Sequence, residues 1–416
     1  MEGIRASIGA HMNPLDQPGM PVEDQFRSWS EMNVEPFDKL EVDPYTRTRV
    51  ILMNGIEVES IMFSHQFARH TDNLEIKRAL ATSRRSDAMQ QKVVNGLNPG
   101  DQTPLETTIG YEQVAVDLTA WLARHEPDPM LKQALDFALL EDFDHLYRYA
   151  NLYELIDGKD ATDLTDHLTE ITPGRPTVVE HRHPVDDVRG HYDTHTVDPL
   201  SRLHVMTIIS GEQQTMNFYM NHGTDWIEPI ARGLYAEIAL IEEQHVTHYE
   251  SLLDPLDSWL KQLVFHEYNE VYLYWSMLQQ EQDRRIKAIW ELHLDMEIGQ
   301  LHAACDLLRR FDGVEPEEIL PPELPDTPVT FEPNKAYVRE ILESQIDLRA
   351  DGLDYVPVQS LPDDHRYFRY QDTVNAGGTP SEQVIDDNRA RAGREFRDET
   401  EGENPIPDLR DAAAGR

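Results

Sequence analysis

Apolar residues recur at spacings of three and four along most of the chain, the pattern of amphipathic helices. The pattern runs from about residue 50 to 155 and again from about 201 to 310. Short breaks containing Pro, Gly or Asp interrupt it at 97–104, 125–129, 223–229 and 254–255. Since no segment alternates convincingly between apolar and polar residues, we predict an all-α fold.

Three segments lack this helical period. Residues 1–48 carry several prolines among polar residues and predict an extended N-terminal arm. Residues 156–200 are rich in Pro, Gly, Asp and His and predict a long connection. Residues 313–416 begin Pro-rich, continue with one short helix near 335–349, and end in an acidic tail that we expect to be mobile. The helical domain is therefore expected to span 49–312.

A shift of 100 residues superposes the two halves of this helical domain. The identical pairs are Thr107 and Thr207, Ile109 and Ile209, Glu112 and Glu212, Gln113 and Gln213, Leu140 and Leu240, His145 and His245, Tyr149 and Tyr249, and Leu152 and Leu252. In this register each half has a carboxylate and, thirty residues later, a carboxylate-x-x-His motif. The two frames are Glu112, Asp142 and His145, and Glu212, Glu242 and His245.

The spacing within each frame predicts a helical hairpin. Two residues thirty apart lie at one depth only when the turn falls midway between them, near positions 127 and 227. Pro127 and the 223–229 segment provide turns at these two places. A carboxylate and a His three apart share one helix face. Two such hairpins packed face to face would gather four carboxylates and two imidazoles.

This constellation resembles the ferritin-like di-iron carboxylate superfamily, a rubrerythrin-type four-helix bundle, over roughly residues 104–253. The resemblance identifies the expected metal ligands as Glu112, Asp142, His145, Glu212, Glu242 and His245. It implies two iron ions, or manganese in their place, held by bridging carboxylates and imidazoles. It also implies a long crossover between the second and third helices, a role that fits 156–200.

Asp142 departs from the family's pattern, which has Glu there. Its shorter side chain could be a terminal ligand instead of a bridge, or Glu141 could contribute after a small helix rotation. Asp144 could orient a ligating imidazole. Tyr149 and Tyr249 follow each His by one turn, where core packing with a hydrogen-bonded hydroxyl is a simpler role than redox chemistry.

Weaker copies of the frame flank the central pair. They are Glu57, Asp87 and Gln90 on one side, and Glu267, Glu297 and Gln300 on the other, with Gln in place of His. A shift of 155 residues superposes these frames on the central ones, which indicates an internal duplication. Either the central hairpins form one bundle with both His and the flanking helices lie outside it, or each half forms a bundle with one His. We favour the first, because it gathers both histidines.

The crossover contains several histidines, and its Val-Glu-His-Arg-His-Pro stretch, 179–184, suggests a separate metal site. His-x-His in a polar loop is a weak signal for such a site. No carboxylate frame like that of the central hairpins accompanies it. We therefore keep the central frame as the main hypothesis.

Charge and cysteine content narrow the function classes. The 77 acidic and 37 basic residues leave a formal charge of −40, which disfavours nucleic acid and anionic membrane surfaces as partners. Together with only 8 Lys beside 29 Arg, it is typical of a protein adapted to concentrated salt. A single cysteine, Cys305, excludes a Cys-based rubredoxin module. Without a long apolar segment or signal sequence, we expect a cytoplasmic protein.

The resemblance implies a di-metal oxidoreductase that reacts with oxygen or peroxide, with the organic substrate and the catalytic residues unknown. Since no Cys pair can carry electrons, they would come from an external donor, and a homo-oligomer is compatible with the fold. The contrasting hypothesis is a non-catalytic helical protein in which the carboxylate and His cluster is a structural metal clip or a buried ion network, and the crossover, arm and tail are interaction surfaces. Buried unpaired carboxylates are costly, so six such groups would be hard to sustain without metal.

Overall fold

A computed structural model describes residues 12–399 and 403–410 of the chain. This part contains fourteen α-helices and one two-stranded antiparallel hairpin, so the all-α prediction is confirmed. The long helices are α2 (Pro44–Arg69), α3 (Leu74–Gly96), α4 (Pro104–His125), α5 (Pro129–Asp157), α8 (Pro199–His222), α9 (Pro229–Glu250), α10 (Trp259–Gln280) and α11 (Arg284–Leu307). The shorter helices are α1 (Trp29–Met32), α6 (Thr162–Thr165), α7 (Thr177–Glu180), α12 (Lys335–Gln345), α13 (Arg366–Val374) and α14 (Pro380–Ala392). The strands are β1 (Leu348–Asp351) and β2 (Asp354–Pro357).

Local sequence signals set the starts of the long helices. Helices α2, α4, α5, α8 and α9 all begin with Pro, whose fixed φ suits the first helical position and whose missing N–H is not needed there. The residue before that Pro caps four of them through its side chain: Asp43, Thr103, Asp128 and Asp198. Helix α5 ends at Gly158, which adopts a left-handed conformation with φ of 63°.

The long helices pair into four hairpins, α2 with α3, α4 with α5, α8 with α9, and α10 with α11. The turns of the two middle hairpins lie at 126–128 and 223–228, around the predicted midpoints. Helix α4 packs on α8 and α5 on α9, so these four helices form a central group that holds both frames with His. Helix α2 packs on α10 and α3 on α11, which makes an outer group of the flanking hairpins.

This pairing agrees with the arrangement in which both histidines share one set of helices. It adds a feature that neither arrangement included, since the flanking helices also pack on one another. The outer group lies beside the central group through contacts of α2 with α4 and α8. Apolar side chains of both groups share one core, which includes the fully buried Val50, Leu52 and Leu118, and the buried Asn54 and Gln214 hydrogen-bond between α2 and α8. Burying one such apolar side chain contributes about 1.5–3 kcal/mol, so the two groups are held as one body.

The connection between α5 and α8 follows the surface of α5 and contains α6 and α7. Asp144 of α5 accepts hydrogen bonds from the backbone N–H groups of Gly174, at 3.0 Å, and Thr177, at 2.8 Å. A Cβ at position 174 would lie 2.5 Å from the carbonyl oxygen of Leu140, so this close approach requires glycine. The crossover is thereby fixed against α5.

The N-terminal segment from residue 12 to α2 lies along α11. The backbone N–H of Met20 donates to the carbonyl of Asp295 at 2.8 Å, and the side chain of Gln25 donates to the carbonyl of Met296 at 2.8 Å. The segment therefore has short helical turns and fixed contacts, beside the extended stretches that the sequence predicts. The part of the predicted arm before residue 12 lies outside the described residues.

The C-terminal region is more structured than we expected. The short helix predicted near 335–349 is α12, but β1, β2, α13 and α14 follow it. Helix α14 packs on α5 and α9, where Val384 and Ile385 are buried. Asn151 of α5 pairs with the backbone of Phe396, whose ring is also buried. The apolar residues that supply this packing are dispersed among acidic residues, so the sequence shows no helical period in this region.

No helix in the described part of the chain is long and apolar enough to cross a membrane.

Candidate metal centre

The central group brings the six predicted ligands together at one depth. Helix α4 carries Glu112, α5 carries Asp142 and His145, α8 carries Glu212, and α9 carries Glu242 and His245. All six side chains are buried, with no residue more than 2 % exposed. Four helices therefore direct four carboxylates and two imidazoles into one closed space.

These residues form two triads, each with donor atoms within 4.8 Å of one another. One triad consists of Glu112, His145 and Glu242, and the other of Asp142, Glu212 and His245. Each triad contains the first carboxylate and the His of one hairpin, and the carboxylate preceding the His of the other hairpin. Each triad therefore combines residues of both hairpins. Asp142 lies with His245 of the second hairpin, and Glu242 lies with His145 of the first.

Glu242 lies between the two imidazoles. Its Oε1 is 3.0 Å from Nδ1 of His145, and its Oε2 is 3.7 Å from Nδ1 of His245. The two rings lie with their centroids 5.9 Å apart and their planes 24° from parallel. A carboxylate that turns one oxygen towards each imidazole can bridge two cations.

Asp142 occupies the corresponding place on the first hairpin. Its Oδ1 lies 3.4 Å from Nδ1 of His245, at the same distance as Oε2 of Glu212. Its Oδ2 accepts a hydrogen bond from the hydroxyl of Thr119 at 3.1 Å. With one oxygen engaged by Thr119, Asp142 has one oxygen free for a cation, which favours the terminal role over a bridge.

Carboxylates also hold the outer nitrogens of both imidazoles. Nε2 of His145 is 3.0 Å from Glu180, and Nε2 of His245 is 2.8 Å from Glu141. A carboxylate on the far nitrogen fixes the ring's orientation and tautomer, leaving Nδ1 directed at the centre. Glu141 therefore lies on the outer side of His245, and Asp144, expected to orient an imidazole, binds the crossover instead.

Sequence reasoning missed Glu180. It lies on α7 in the crossover, and no repeat partner or spacing marks it. The neighbouring Arg182 pairs with Glu141 at 2.7 Å, and Nε2 of His181 lies 3.6 Å from Glu237 of α9. The 179–184 stretch therefore lies against the central group. The sequence offered no signal for Glu180, because the burial of this side chain depends on the tertiary fold.

Tyrosines surround the same space. The hydroxyl of Tyr219 donates a hydrogen bond to Oε1 of Glu112, a contact that the sequence did not predict. The rings of Tyr149 and Tyr219 lie 5.1 Å apart. The hydroxyls of Tyr149 and Tyr249 are buried without a hydrogen-bond partner, so the predicted core position of both is observed but the expected hydrogen bond is not.

Burial dominates the electrostatics of the centre. It raises the pKa of Glu112 and Glu212 well above the usual range, and that of Asp142 to about 6. Burial acts the same way on Glu242, but its contacts with the two imidazoles outweigh it and lower its pKa to about 2. The surrounding carboxylates raise the pKa of His145 far above its usual value, against the effect of burial. Burial therefore disfavours the charged form of most of these carboxyls, and a bound cation would favour it.

Several donor atoms have no hydrogen-bond partner. They are Oε2 of Glu112, Oδ1 of Asp142, Oε1 of Glu212 and Nδ1 of His245, all buried. An unpaired buried acceptor costs about 1–3 kcal/mol, and a charged one more. Bound cations would satisfy all four atoms, and a mixed imidazole and carboxylate set suits iron, manganese or zinc. The residues present therefore fit a metal centre.

Comparison of the chain with protein-family models, with curated proteins and with solved structures found no significant match.

Proposed function

We propose that the chain is a ferritin-like di-metal oxidoreductase whose central group holds two iron ions, or two manganese ions, and reacts with oxygen or peroxide. The observation that carries this proposal is the pair of triads with Glu242 between the two imidazoles. Each triad would supply one imidazole and two carboxylates to one ion. In such a centre the two ions supply the electrons and the Lewis acidity with which oxygen or peroxide is reduced.

The protein's own residues orient and insulate this centre. His145 and His245 would bind through Nδ1, while Glu180 and Glu141 hold the protons on their Nε2 atoms. The hydroxyl of Tyr219 holds Oε1 of Glu112, which leaves Oε2 directed at the centre. These contacts fix the donor atoms before a cation arrives, which lowers the cost of ordering them.

The burial of all six ligands restricts the reactants to small molecules. Oxygen and hydrogen peroxide meet this restriction, whereas a bulky substrate would require the crossover to move. Since Cys305 is the only cysteine, electrons for repeated turnover would come from an external donor. The burial of the two imidazoles excludes bulk water and raises the cost of leaving any ligand unpaired.

The test of the metal centre is the iron and manganese content of protein purified in molar salt without chelators. We expect close to two ions per chain in the wild type and at most one in His245→Ala. Glu243→Gln is the matched control, because Glu243 is exposed and adjacent to Glu242. Equal metal content in the wild type and in His245→Ala would refute the ligand assignment.

The burial of the six ligands also favours a second candidate function, a structural metal clip that holds the two central hairpins together. The two functions differ in their reaction with oxygen. Anaerobic protein loaded with Fe(II) is mixed with oxygen or peroxide in the presence of a reductant, and consumption is followed with an electrode. Repeated consumption that His245→Ala abolishes supports the oxidoreductase, and consumption no faster than that of free Fe(II) supports the clip.

A further inference from the structure

The outer group gathers its own set of buried polar side chains. Helix α2 contributes Glu57, α3 contributes Asp87 and Gln90, α10 contributes Glu267 and Glu270, and α11 contributes Glu297 and Gln300. None of these side chains is more than 4 % exposed. The 155-residue shift relates Gln90 to His245 and Gln300 to His145, so amides stand where the central group has imidazoles.

Three carboxylates of this set converge. Glu57, Glu270 and Glu297 each place one oxygen within 4.8 Å of the others. The amide of Gln90 donates to Oε1 of Glu57 at 3.2 Å and also to Oε1 of Glu297. The amide of Gln300 donates to Glu297 at 3.3 Å. The amide N–H groups thus orient the carboxylates, and the remaining oxygens face one another.

Unpartnered buried atoms provide an independent sign of a cation site. Oε2 of Glu57, Oδ1 of Asp87 and Oε2 of Glu270 have no hydrogen-bond partner, and neither has Oε1 of Gln300. The last atom belongs to a side chain that is 1 % exposed and whose Nε2 donates to Glu297. All four atoms are acceptors, and a cation satisfies several acceptors at once.

A cavity borders this set of side chains. A cavity of about 340 Å³ lies between the N-terminal segment, α3 and α11, and both Glu267 and Gln300 line it. Pro21 and Ser83 are among the other lining residues. A hydrated ion fits a space of this size, and Glu267 at its wall attracts positive charge.

We propose that the outer group binds a hard divalent cation through oxygen ligands from Glu57, Glu270 and Glu297. Carboxylate and amide oxygens favour Mn²⁺, Ca²⁺ or Mg²⁺, whereas imidazole and thiolate ligands, which favour zinc or copper, are absent from this described set. The site is separate from the central one, so either can exist without the other. The duplication has in this way produced two cation sites with different metal preferences.

The experiment is equilibrium dialysis of the chelator-stripped full chain against Mn²⁺ in molar KCl, followed by elemental analysis and electron paramagnetic resonance. Separate arms contain Ca²⁺ or Mg²⁺ as competitors. We expect His145→Ala/His245→Ala to retain one Mn²⁺ that Ca²⁺ displaces. Adding Glu270→Gln to this background is expected to weaken that binding roughly tenfold or more. Adding Glu75→Gln, an exposed position on α3, is the matched control.

A variant with higher affinity for Mn²⁺ distinguishes an effect on the ligands from an effect on folding, because a misfolded protein would not bind more tightly. Gln300→Glu adds a carboxylate to the same cluster, so we expect tighter Mn²⁺ binding and a larger rise in melting temperature on adding Mn²⁺ than in the wild type. Circular dichroism confirms that each variant folds. If the double His variant binds no divalent cation, or Glu270→Gln leaves its binding unchanged, the outer group is a network of protonated carboxyls and the proposal is wrong. The proposed function has a separate test, the iron content of the wild-type protein, so the two proposals can fail independently.

Discussion

The central and outer groups share one carboxylate frame but differ in the residue that follows its second carboxylate. The central group has His145 and His245 there, and the outer group has Gln90 and Gln300. An imidazole offers a nitrogen ligand and binds a carboxylate behind it, whereas an amide donates to the neighbouring carboxylates and offers only an oxygen. The same backbone frame can thus build sites for different cations.

The surroundings of the two groups differ as well. The crossover seals the central group with Glu180 and with Arg182, which pairs with Glu141. The outer group is covered by the N-terminal segment, beside which the cavity lined by Glu267 and Gln300 lies. The central group is thus enclosed by charged pairs, and the outer group borders a cavity.

Metal removal is expected to have the largest effect. A cation present at about 1,000 times its dissociation constant stabilises the folded state by about 4 kcal/mol. Stripping wild-type protein with a chelator should lower its melting temperature by roughly 5 °C or more, measured by calorimetry in constant salt. Iron should restore most of this loss in the wild type and little of it in His145→Ala/His245→Ala. Equal restoration in both proteins would contradict the central assignment.

Glu180→Gln tests the contact between the crossover and His145, which the outer group lacks. The amide removes the negative charge behind Nε2 of His145 while keeping a similar shape, so the affinity for iron should fall about 10- to 100-fold. Competition with a chromophoric chelator measures this change. Glu382→Gln, at an exposed position on α14, is the control. Unchanged affinity would show that the crossover covers the centre without tuning it.

Gln90→His/Gln300→His tests whether the residue after the second carboxylate decides the metal. Two imidazoles in the outer frame should raise its affinity for Fe(II) or Zn²⁺ about tenfold relative to Mn²⁺. The measurement is competitive metal loading with elemental analysis in the His145→Ala/His245→Ala background. If the preference for Mn²⁺ persists, the surroundings of the frame and not this residue set the selectivity.

Asp117 of α4 offers a smaller, pH-dependent test of the contacts between the central group and the crossover. Its carboxylate accepts a hydrogen bond from the hydroxyl of Thr169 in the crossover. Burial raises the pKa of Asp117 to about 7, although hydrogen bonds from Thr169, Asn334 and Tyr45 lower it. The unfolded chain releases this proton near pH 4, so the folded state binds more protons between about pH 4 and 7. The contribution of Asp117 to stability is therefore full below about pH 4 and falls as the pH rises towards 7.

Asp117→Asn stays uncharged and should remove this pH dependence. We expect the stability of the variant relative to the wild type to rise between pH 5 and pH 8, by on the order of 2 kcal/mol. Urea unfolding at both values of pH measures the difference. A stability difference that is the same at pH 5 and pH 8 would show that Asp117 does not titrate in this range.

The sequence by itself determined the helical hairpins and their frames. Helix period, Pro at helix starts and the thirty-residue spacing are local or depend on one turn, so the grouping of Glu112, Asp142 and His145 on one hairpin could be predicted. The repeat also separated four carboxylates from a background of 77 acidic residues, together with two histidines. The pairing of the two central hairpins was favoured from the sequence, and the structure brings their two histidines together.

Only the tertiary structure decided what lies behind and beside those residues. The approach of Glu180 to His145 depends on the path of the crossover, and the outer cluster depends on α2 meeting α10 across a sequence separation of about 200 residues. Neither contact has a period or a motif, because side chains from distant segments meet only when the apolar faces of their helices are buried together. Local patterns therefore define each hairpin, and packing between hairpins defines the sites.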